Sequence, residues 1–283
     1  MTTRTISLTE RKAFAIRLAP ETIHIVVLIS VAAAVVLPML FWGMPSANDL
    51  SNHFRFALPF YDALRTGHLY PGWLAESNYG FGDPSFRFYP PGLYYLLALT
   101  RALTGNWYAA SVLTFAIISV LGALGIYLWA REFTDSRNAM WAGIFYSVAP
   151  YHLNQLFQGL LLAEFAGAAI LPFAFLFTER VCRQRRSRDI AGLASSYALL
   201  VLTHLPLAVM GSIALAVYAL FRLDKKTWLR SIAALGGSAL LGLAAGLLQP
   251  VQAHDLRRRF MSVRWCRSCA CTGCSTPATS RSR

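Results

Sequence analysis

Long apolar runs separated by short polar loops occupy the chain from residue 22 to residue 248. Seven of these runs approach or exceed the ~20 residues that a helix needs to cross a bilayer. They are 22–43, 107–130, 139–153, 160–178, 190–205, 206–221 and 231–248. The pattern predicts an all-α protein, a polytopic transmembrane helix bundle of about seven spans.

A further apolar piece, residues 91–103, is short for a span. Arg101 and Gly105 end it after about a dozen apolar residues, a length that suits an interfacial or re-entrant helix. If it does not cross and the N-terminus is cytoplasmic, the Arg/Lys-rich loops all lie inside, as the positive-inside rule requires. We therefore expect 91–103 to lie on the outer face. The same rule divides residues 190–221 at Leu205–Pro206 into two spans joined by a tight outer turn.

Composition supports a membrane protein and argues against a nucleic-acid partner. Hydrophobic residues make up 56% of the chain and charged residues 14%, whereas a soluble domain has about 25% charged residues. The net charge is +13, but the basic residues cluster in short loops between apolar runs. That distribution sets topology and does not form a continuous phosphate-binding face. We expect the chain in the bacterial cytoplasmic (inner) membrane, multi-pass and in contact with membrane lipids.

Three segments are predicted along the chain. Residues 1–21 form a cytoplasmic N-terminus, and 22–248 form the transmembrane domain, with an outer loop at 44–106. The apolar run at 22–43 is longer than the core of a signal peptide, which indicates a retained anchor. Residues 249–283 form an Arg/Cys-rich tail whose abrupt change of composition suggests that the natural reading frame is lost near Gln249. We interpret the tail as non-native or disordered and the protein as a truncated fragment.

The cysteines of this tail have the spacing CxxCxCxxC, from Cys266 to Cys274. Four thiolates can bind zinc, but structural zinc sites normally separate their two cysteine pairs by a longer loop. We do not expect a metal site there.

The outer loop is the segment best suited to carry chemistry. Asp49 and His53 are four residues apart, so they share a face if a helix begins near Leu50. A carboxylate beside an imidazole can act as a general base or bind a divalent metal, which would be the cofactor. The alternative is that Asp49 caps the helix and His53 is merely solvated among the headgroups.

A second carboxylate, Glu164, lies in an apolar run with no other charge nearby. An ionisable residue at the edge of a span indicates a functional site, although the helix N-terminus alone also favours a carboxylate there. His152 and His204 lie at the ends of other predicted spans, where they either line a site or are interface residues. The predicted topology puts all of these residues at the outer surface.

Aromatic residues and glycines alternate with charges in the second half of the outer loop. The run from Tyr79 to Pro91 includes Asp83, Arg87 and Tyr89. Aromatic faces bind the apolar faces of sugars or lipid chains. The alternative is an aromatic belt at the headgroups, which accounts for the tyrosines that follow and accounts poorly for Asp83 and the glycines.

Several segments carry a resemblance to a known family. They are FYDALRTGHLYPGW, NYGFGDPSFRFYPPGLYYL, SVAPYHLNQLFQGLLLAEFAGAAILPFAFL and LTHLPLAV. They resemble bacterial membrane proteins labelled 6-pyruvoyl-tetrahydropterin synthase-related, and the resemblance covers about residues 22–248. Nothing in the sequence is similar to the soluble zinc enzyme of that name.

The layout resembles the glycosyltransferase C superfamily, polytopic enzymes that use polyprenyl-phosphate-linked sugars. The resemblance implies transfer of a sugar at the outer face, with Asp49 and Glu164 as the catalytic carboxylates. It further implies that Arg55 or Arg87 meets the carrier phosphate. The alternative is a non-enzymatic membrane scaffold or lipid-handling subunit that uses the outer loop as a partner surface.

Overall fold

The computed structural model describes residues 20–46, 49–223 and 228–244, and the regular structure in these ranges is helical. The helices are α1 (Pro20–Ala34), α2 (Leu37–Trp42), α3 (Leu50–Arg65), α4 (Gly92–Thr104), α5 (Trp107–Ala130), α6 (Ser136–Ser147), α7 (Pro150–Leu153), α8 (Leu162–Gln184), α9 (Ser187–Thr203), α10 (Leu205–Arg222) and α11 (Trp228–Ala244). Short 3₁₀ turns occur at Asn78–Gly80 and Ser85–Arg87, and a π-turn occurs at Asn154–Gln158. The predicted Arg/Cys-rich tail, and the predicted N-terminal segment up to residue 19, lie outside the described residues.

Four helical segments are long and apolar enough to cross a membrane. These segments are Pro20–Trp42, which combines α1 with α2, then Trp107–Ala130, Leu162–Gln184 and Leu205–Arg222. The remaining predicted spans coincide with the shorter helices α6, α9 and α11. The 12 residues of α6 cover about 18 Å, well short of a hydrocarbon core of about 30 Å. The all-helical membrane architecture is therefore confirmed, whereas the count of seven spans is not.

Two helix breaks follow from local sequence. The predicted span 139–153 is interrupted, because Pro150 starts α7 and disfavours helix at Ala149, which is extended. The predicted break near Leu205–Pro206 is present one residue earlier, at His204. His204 is extended, with φ −154° and ψ 100°, and its Nδ1 accepts a hydrogen bond from the Leu207 N–H. Pro206 occupies the first turn of α10, where its missing N–H has no cost.

The bundle has two chemically different ends. The arginine end is defined by Glu21, Arg131, Glu132, Glu179, Arg180, Arg183 and Arg222, which form ion pairs across α1, α5, α8 and α10. The aromatic end is defined by Phe54, Phe56, Phe60, Tyr61, Phe86, Tyr94 and Trp107, whose rings stack on one another. Helices α5, α8 and α10 run from the aromatic end to the arginine end, whereas α1 runs in the opposite direction.

Close helix contacts depend on small residues. A Cβ atom on Gly143 of α6 would lie 2.7 Å from Leu28 Cδ1 and 2.8 Å from the Ala123 carbonyl oxygen. Glycine lets α6 approach α1 and α5 at this point, as in many packed membrane helices.

The segment between α2 and α5 folds into a compact cap at the aromatic end. Phe86 is buried, with its ring centroid 4.7 Å from that of Phe60 and 4.9 Å from that of Tyr94. Backbone hydrogen bonds of 2.9 and 3.0 Å pair Leu74 with Asp83 and close the loop between them. The belt interpretation of Tyr94 is wrong, since this side chain is only 1% exposed. The cap fixes the position of α3, which carries the first candidate residues.

Candidate active site

The centre of the site is a buried imidazole in contact with a carboxylate. His53 Nε2 lies 3.3 Å from Asp49 Oδ2, one helical turn earlier, and His53 is 4% exposed. The contact has ion-pair length but is not an aligned hydrogen bond, so His53 Nε2 is a buried nitrogen without a hydrogen-bond partner. Burial lowers the pKa of His53, although the neighbouring Asp49 carboxylate acts to raise it. The imidazole is therefore neutral at pH 7 and able to accept a proton.

Asp49 is not a helix cap. It precedes α3 in the N-cap position, but its carboxylate makes no capping hydrogen bond to the backbone. The carboxylate accepts a hydrogen bond of 3.2 Å from Asn52 Nδ2 and contacts His53. Its side chain is 36% exposed. Asp49 is thus open to a ligand on one side while the other side contacts His53.

Two tyrosines extend this arrangement. The Tyr94 hydroxyl lies 3.0 Å from His53 Nδ1. When the ring proton is on Nδ1, it is donated to the Tyr94 hydroxyl oxygen, and Nε2, which faces Asp49, is free to accept a proton. The Tyr89 hydroxyl interacts with that of Tyr94, and burial raises the pKa of both phenols above their usual range. Asp49, His53, Tyr94 and Tyr89 therefore form one connected polar group inside an aromatic shell.

Leu160 connects this group to the segment just before α8. Its backbone lies beside the His53 ring and acts to raise the pKa of that imidazole, and its side chain is fully buried. Leu160 has a positive φ of 49°, uncommon for a residue with a Cβ, and directly follows the π-turn Asn154–Gln158 and Gly159. Both features concentrate at functional sites. The residue that contacts His53 thus lies just before α8, which carries Glu164.

Glu164 is in the first turn of α8, where the helix dipole favours a carboxylate. It accepts a short hydrogen bond from the Tyr151 hydroxyl. His204 is close enough to feel the Glu164 charge, but burial is the stronger effect and lowers the pKa of His204. Glu164, Tyr151 and His204 form a second cluster.

His152 faces the bundle interior. It is 6% exposed, its ring centroid lies 4.1 Å from that of Tyr146, and its Nδ1 has no hydrogen-bond partner. It borders a small cavity of about 10 Å³ between α5, α6 and α8, about the volume that one water requires. The adjacent Gln155 is 1% exposed, with both amide atoms lacking an aligned hydrogen bond. His152 and Gln155 therefore form a buried polar pocket.

The remaining predicted binding residues lie in the cap. Arg55 is exposed and donates a hydrogen bond of 3.3 Å to Asn78 Oδ1. Arg87 is exposed and makes no ion pair within the described part of the chain. Asp83 has a structural role, because its carboxylate accepts the Ser85 N–H at 2.8 Å and stabilises the turn after the Leu74–Asp83 bridge.

A metal does not fit the predicted pair well. Among the described residues, no group of three His, Cys, Asp or Glu side chains could hold an ion. Asp49 and His53 would supply two ligands, whereas catalytic zinc sites usually have three protein ligands. The chemistry of Asp49 and His53 is therefore better treated as proton transfer.

The sequence did not indicate four residues that belong to these clusters, namely Tyr94, Tyr151, Leu160 and Gln155. Tyr94 and Leu160 contact His53 from 41 and 107 positions further along the chain, and only the fold brings them there. Tyr151 and Gln155 flank His152, which was the only local indication of polar chemistry in this segment.

The chain matches one family model, described as a 6-pyruvoyl-tetrahydropterin synthase related domain of membrane proteins, over residues 86–251. The matched region contains Tyr89, Tyr94, His152, Glu164 and His204 and leaves out α3. No curated protein and no solved structure matches the chain.

Proposed function

This chain belongs to the 6-pyruvoyl-tetrahydropterin synthase related family of membrane proteins, and we propose that it acts as a membrane glycosyltransferase. It would transfer a sugar from a polyprenyl-phosphate carrier to an acceptor hydroxyl at the outer face of the bacterial cytoplasmic membrane. The observation that carries the proposal is the contact between the Asp49–His53–Tyr94 group and Leu160, just ahead of the helix of Glu164.

The proton chemistry follows from the surroundings of Asp49. The acceptor O–H gives its proton to the exposed Asp49 carboxylate as its oxygen bonds to the anomeric carbon. The bond between that carbon and the carrier phosphate oxygen breaks, and the phosphate leaves with both electrons and the polyprenyl chain. Neutral His53, held by Tyr94, can then accept the proton from Asp49.

Glu164 and the exposed arginines would stabilise the charges of the sugar ring and of the carrier phosphate. A carboxylate near the anomeric carbon stabilises the positive charge that develops on the sugar ring. Arg55 and Arg87 are exposed on the cap, where a guanidinium can pair with the carrier phosphate. The exposed rings of Tyr79, Phe81 and Phe88 offer apolar faces to a sugar.

The proposed orientation places the arginine end in the cytoplasm and the aromatic end outside. The arginine end carries the basic residues that the positive-inside rule assigns to the cytoplasm. In this orientation α3 and α4 belong to the outer face. The 13 residues of α4 are too few to cross a core of about 30 Å. We propose that α6 with α7, α9 and α11 complete a seven-span bundle.

Substitution of the two carboxylates tests the proposal. In a strain that lacks the gene, we expect Asp49→Asn and Glu164→Gln to lower transfer of the sugar by about 100-fold or more, because proton transfer typically contributes that much. Asp62→Asn is a matched control, since Asp62 is an exposed carboxylate on the same helix. Wild-type product levels in both variants, at equal protein abundance, would disprove the transferase mechanism.

One observation favours the alternative of a non-enzymatic scaffold or lipid-handling subunit. Tyr79 is fully exposed, and Phe81 and Phe88 are 85% and 81% exposed, as expected for a partner surface. In that case Asp49→Asn would be silent, whereas a combined Tyr79→Ser and Phe81→Ser variant would lose function.

A further inference from the structure

Two cavities meet at Phe177, away from the proposed active site. The first is a polar cleft of about 360 Å³ at the arginine end, lined by Arg180, Arg186, Arg188, Glu132 and Asp189. The second is an apolar groove of about 410 Å³ between α4, α5, α8 and α9. The Phe177 side chain borders both, so the groove and the cleft adjoin at this ring.

The polar cleft has an excess of positive charge. Arg180 Nε donates to Glu132 Oε1 at 2.7 Å, and Glu132 Oε2 is also shared with Arg183 at 3.5 Å. Arg188 lies only at the outer limit of an ion pair with Asp189, at 4.0 Å. Arg186 has no acidic partner within the described ranges. Two exposed guanidinium groups are therefore available to an anion, and the planar donor fork of arginine matches the geometry of a phosphate.

Asp189 adds a requirement for a hydrogen-bond donor. It is 2% exposed, and its Oδ2 atom is buried without a hydrogen-bond partner. An unsatisfied buried carboxylate oxygen is costly, and a ligand hydroxyl would remove that cost. A ligand with both a phosphate and a hydroxyl group matches this combination of arginines and Asp189.

The groove provides space for a hydrocarbon chain. Near Phe177 the α9 wall carries the small residues Gly192, Ser195 and Ser196, and Leu199 lies further along it. Gly192 lies directly against Phe177, and a Cβ at this position would come within 2.4 Å of the ring. The lining is almost entirely apolar, and it adjoins the charged cleft at Phe177. An anionic headgroup joined to an acyl chain matches the order of these two surfaces.

We propose that this surface binds one anionic membrane phospholipid with a hydroxylated headgroup, in the leaflet at the arginine end. Its phosphate pairs with Arg186 and Arg188, a headgroup hydroxyl donates to Asp189 Oδ2, and one acyl chain lies along the groove past Phe177. The site lies at the opposite end of the bundle from Asp49, and it does not depend on the transferase proposal.

Lipid retention by the purified full-length protein tests the site. Phosphatidylglycerol and phosphatidylcholine are supplied in equal amounts in detergent, and bound lipid is counted by native mass spectrometry. We expect preferential retention of phosphatidylglycerol, lowered about tenfold by a combined Arg186→Gln and Arg188→Gln variant. The matched control is Arg137→Gln with Arg230→Gln, two exposed arginines outside the cleft with the same change of charge. If both double variants lose the same amount of bound phosphatidylglycerol, the effect comes from net charge alone and the proposed site is wrong.

Two further variants separate the parts of the proposal. Asp189→Asn is expected to narrow the preference for phosphatidylglycerol over phosphatidic acid, which has no headgroup hydroxyl. Ser195→Phe fills the groove from an exposed position. It should weaken the binding of phosphatidylglycerol and leave the binding of glycerol phosphate unchanged. If glycerol phosphate stabilises the protein against heat as strongly as phosphatidylglycerol does, the groove does not take an acyl chain and the proposal fails.

Discussion

At the scale of single residues, His53 determines how the candidate site works. Its ring lies between the Asp49 carboxylate and the Tyr94 hydroxyl, and it is nearly inaccessible to solvent. A buried imidazole is costly to charge, so it stays neutral unless a carboxylate outweighs desolvation. Here desolvation is the stronger effect, which makes the ring a proton acceptor at neutral pH.

This environment predicts a pH dependence of stability. The pKa of His53 is lowered in the folded state from its ordinary value of 6.5, so the folded protein binds fewer protons than the unfolded chain below that pH. The stabilisation is fully present above pH 6.5 and is lost as the pH falls through the lowered pKa. We expect the Tm in detergent to fall below pH 6.5.

His204 contributes a pH dependence of stability with the same sign, since burial lowers the pKa of His204 as well. The contribution of His53 is therefore measured as the difference between the Tm curves of the wild type and of His53→Gln. Identical Tm curves against pH for the two proteins would show that His53 does not titrate in this way.

A second prediction concerns the phenol on His53. Tyr94→Phe keeps the buried ring but removes the hydroxyl from His53 Nδ1, and it should lower the free energy of unfolding by about 1–2 kcal/mol. It should also reduce transfer, because His53 loses a hydrogen bond that orients its ring. Tyr95→Phe is the control, since the Tyr95 hydroxyl bonds the Leu69 carbonyl at an exposed position. Equal effects of both variants on activity would remove Tyr94 from the site.

The sequence predicted the Asp49–His53 contact, because residues four apart on a helix share a face. The capping interpretation of Asp49 failed because that carboxylate turns to His53 and Asn52. Tyr94 and Leu160 were not predictable as neighbours of His53. Their contacts depend on how α4 and the π-turn pack against α3, and local periodicity carries no information about that packing.

At the scale of elements, the lengths of the apolar runs predicted where the helices lie, but they did not predict where a helix is broken. The runs for α5 and α8 became long helices, whereas the run at 139–153 became α6 and α7, with the break before Pro150. The hydrophobic pattern is the same on both sides of this break. The π-turn that follows has no simple signature, since it arises where α7, Leu160 and α8 must fit together.

Helix packing makes a third prediction. Gly143→Ala should destabilise the protein by about 1–3 kcal/mol, because the new methyl group would collide with Leu28 and with the Ala123 carbonyl. Gly236→Ala is the matched control on α11, where a Cβ meets nothing within 4 Å. Alanine favours helix over glycine, so that variant should be neutral or slightly more stable. Denaturant unfolding in detergent measures both, and a neutral Gly143→Ala would contradict the packing at this site.

At the scale of the whole molecule, opposite chemistry at the two ends gives the protein a direction. The arginine end holds the buried Glu179 with Tyr218 and Arg222, and the aromatic end holds the cap. Asp49, His53, Glu164 and His204 lie at the aromatic end, although they come from different parts of the sequence. Charge placement in the loops predicted that these four residues and His152 share the outer surface, and their orientation relative to the membrane stays a prediction.

The most direct test of the account is whether Asp49 and Glu164 share one outward-facing site. In a chain with its own cysteines replaced, Asp49→Cys and Glu164→Cys are introduced together, and intact cells are treated with a membrane-impermeant bifunctional thiol reagent. The reagent should span roughly 12 Å, close enough for two carboxylates to act on one substrate. Asp49→Cys with Arg131→Cys, at the arginine end, is the control pair. We expect a cross-link in the first pair and none in the control pair. A first pair that stays uncross-linked, or reacts only after the membrane is opened, would contradict a shared outward-facing site.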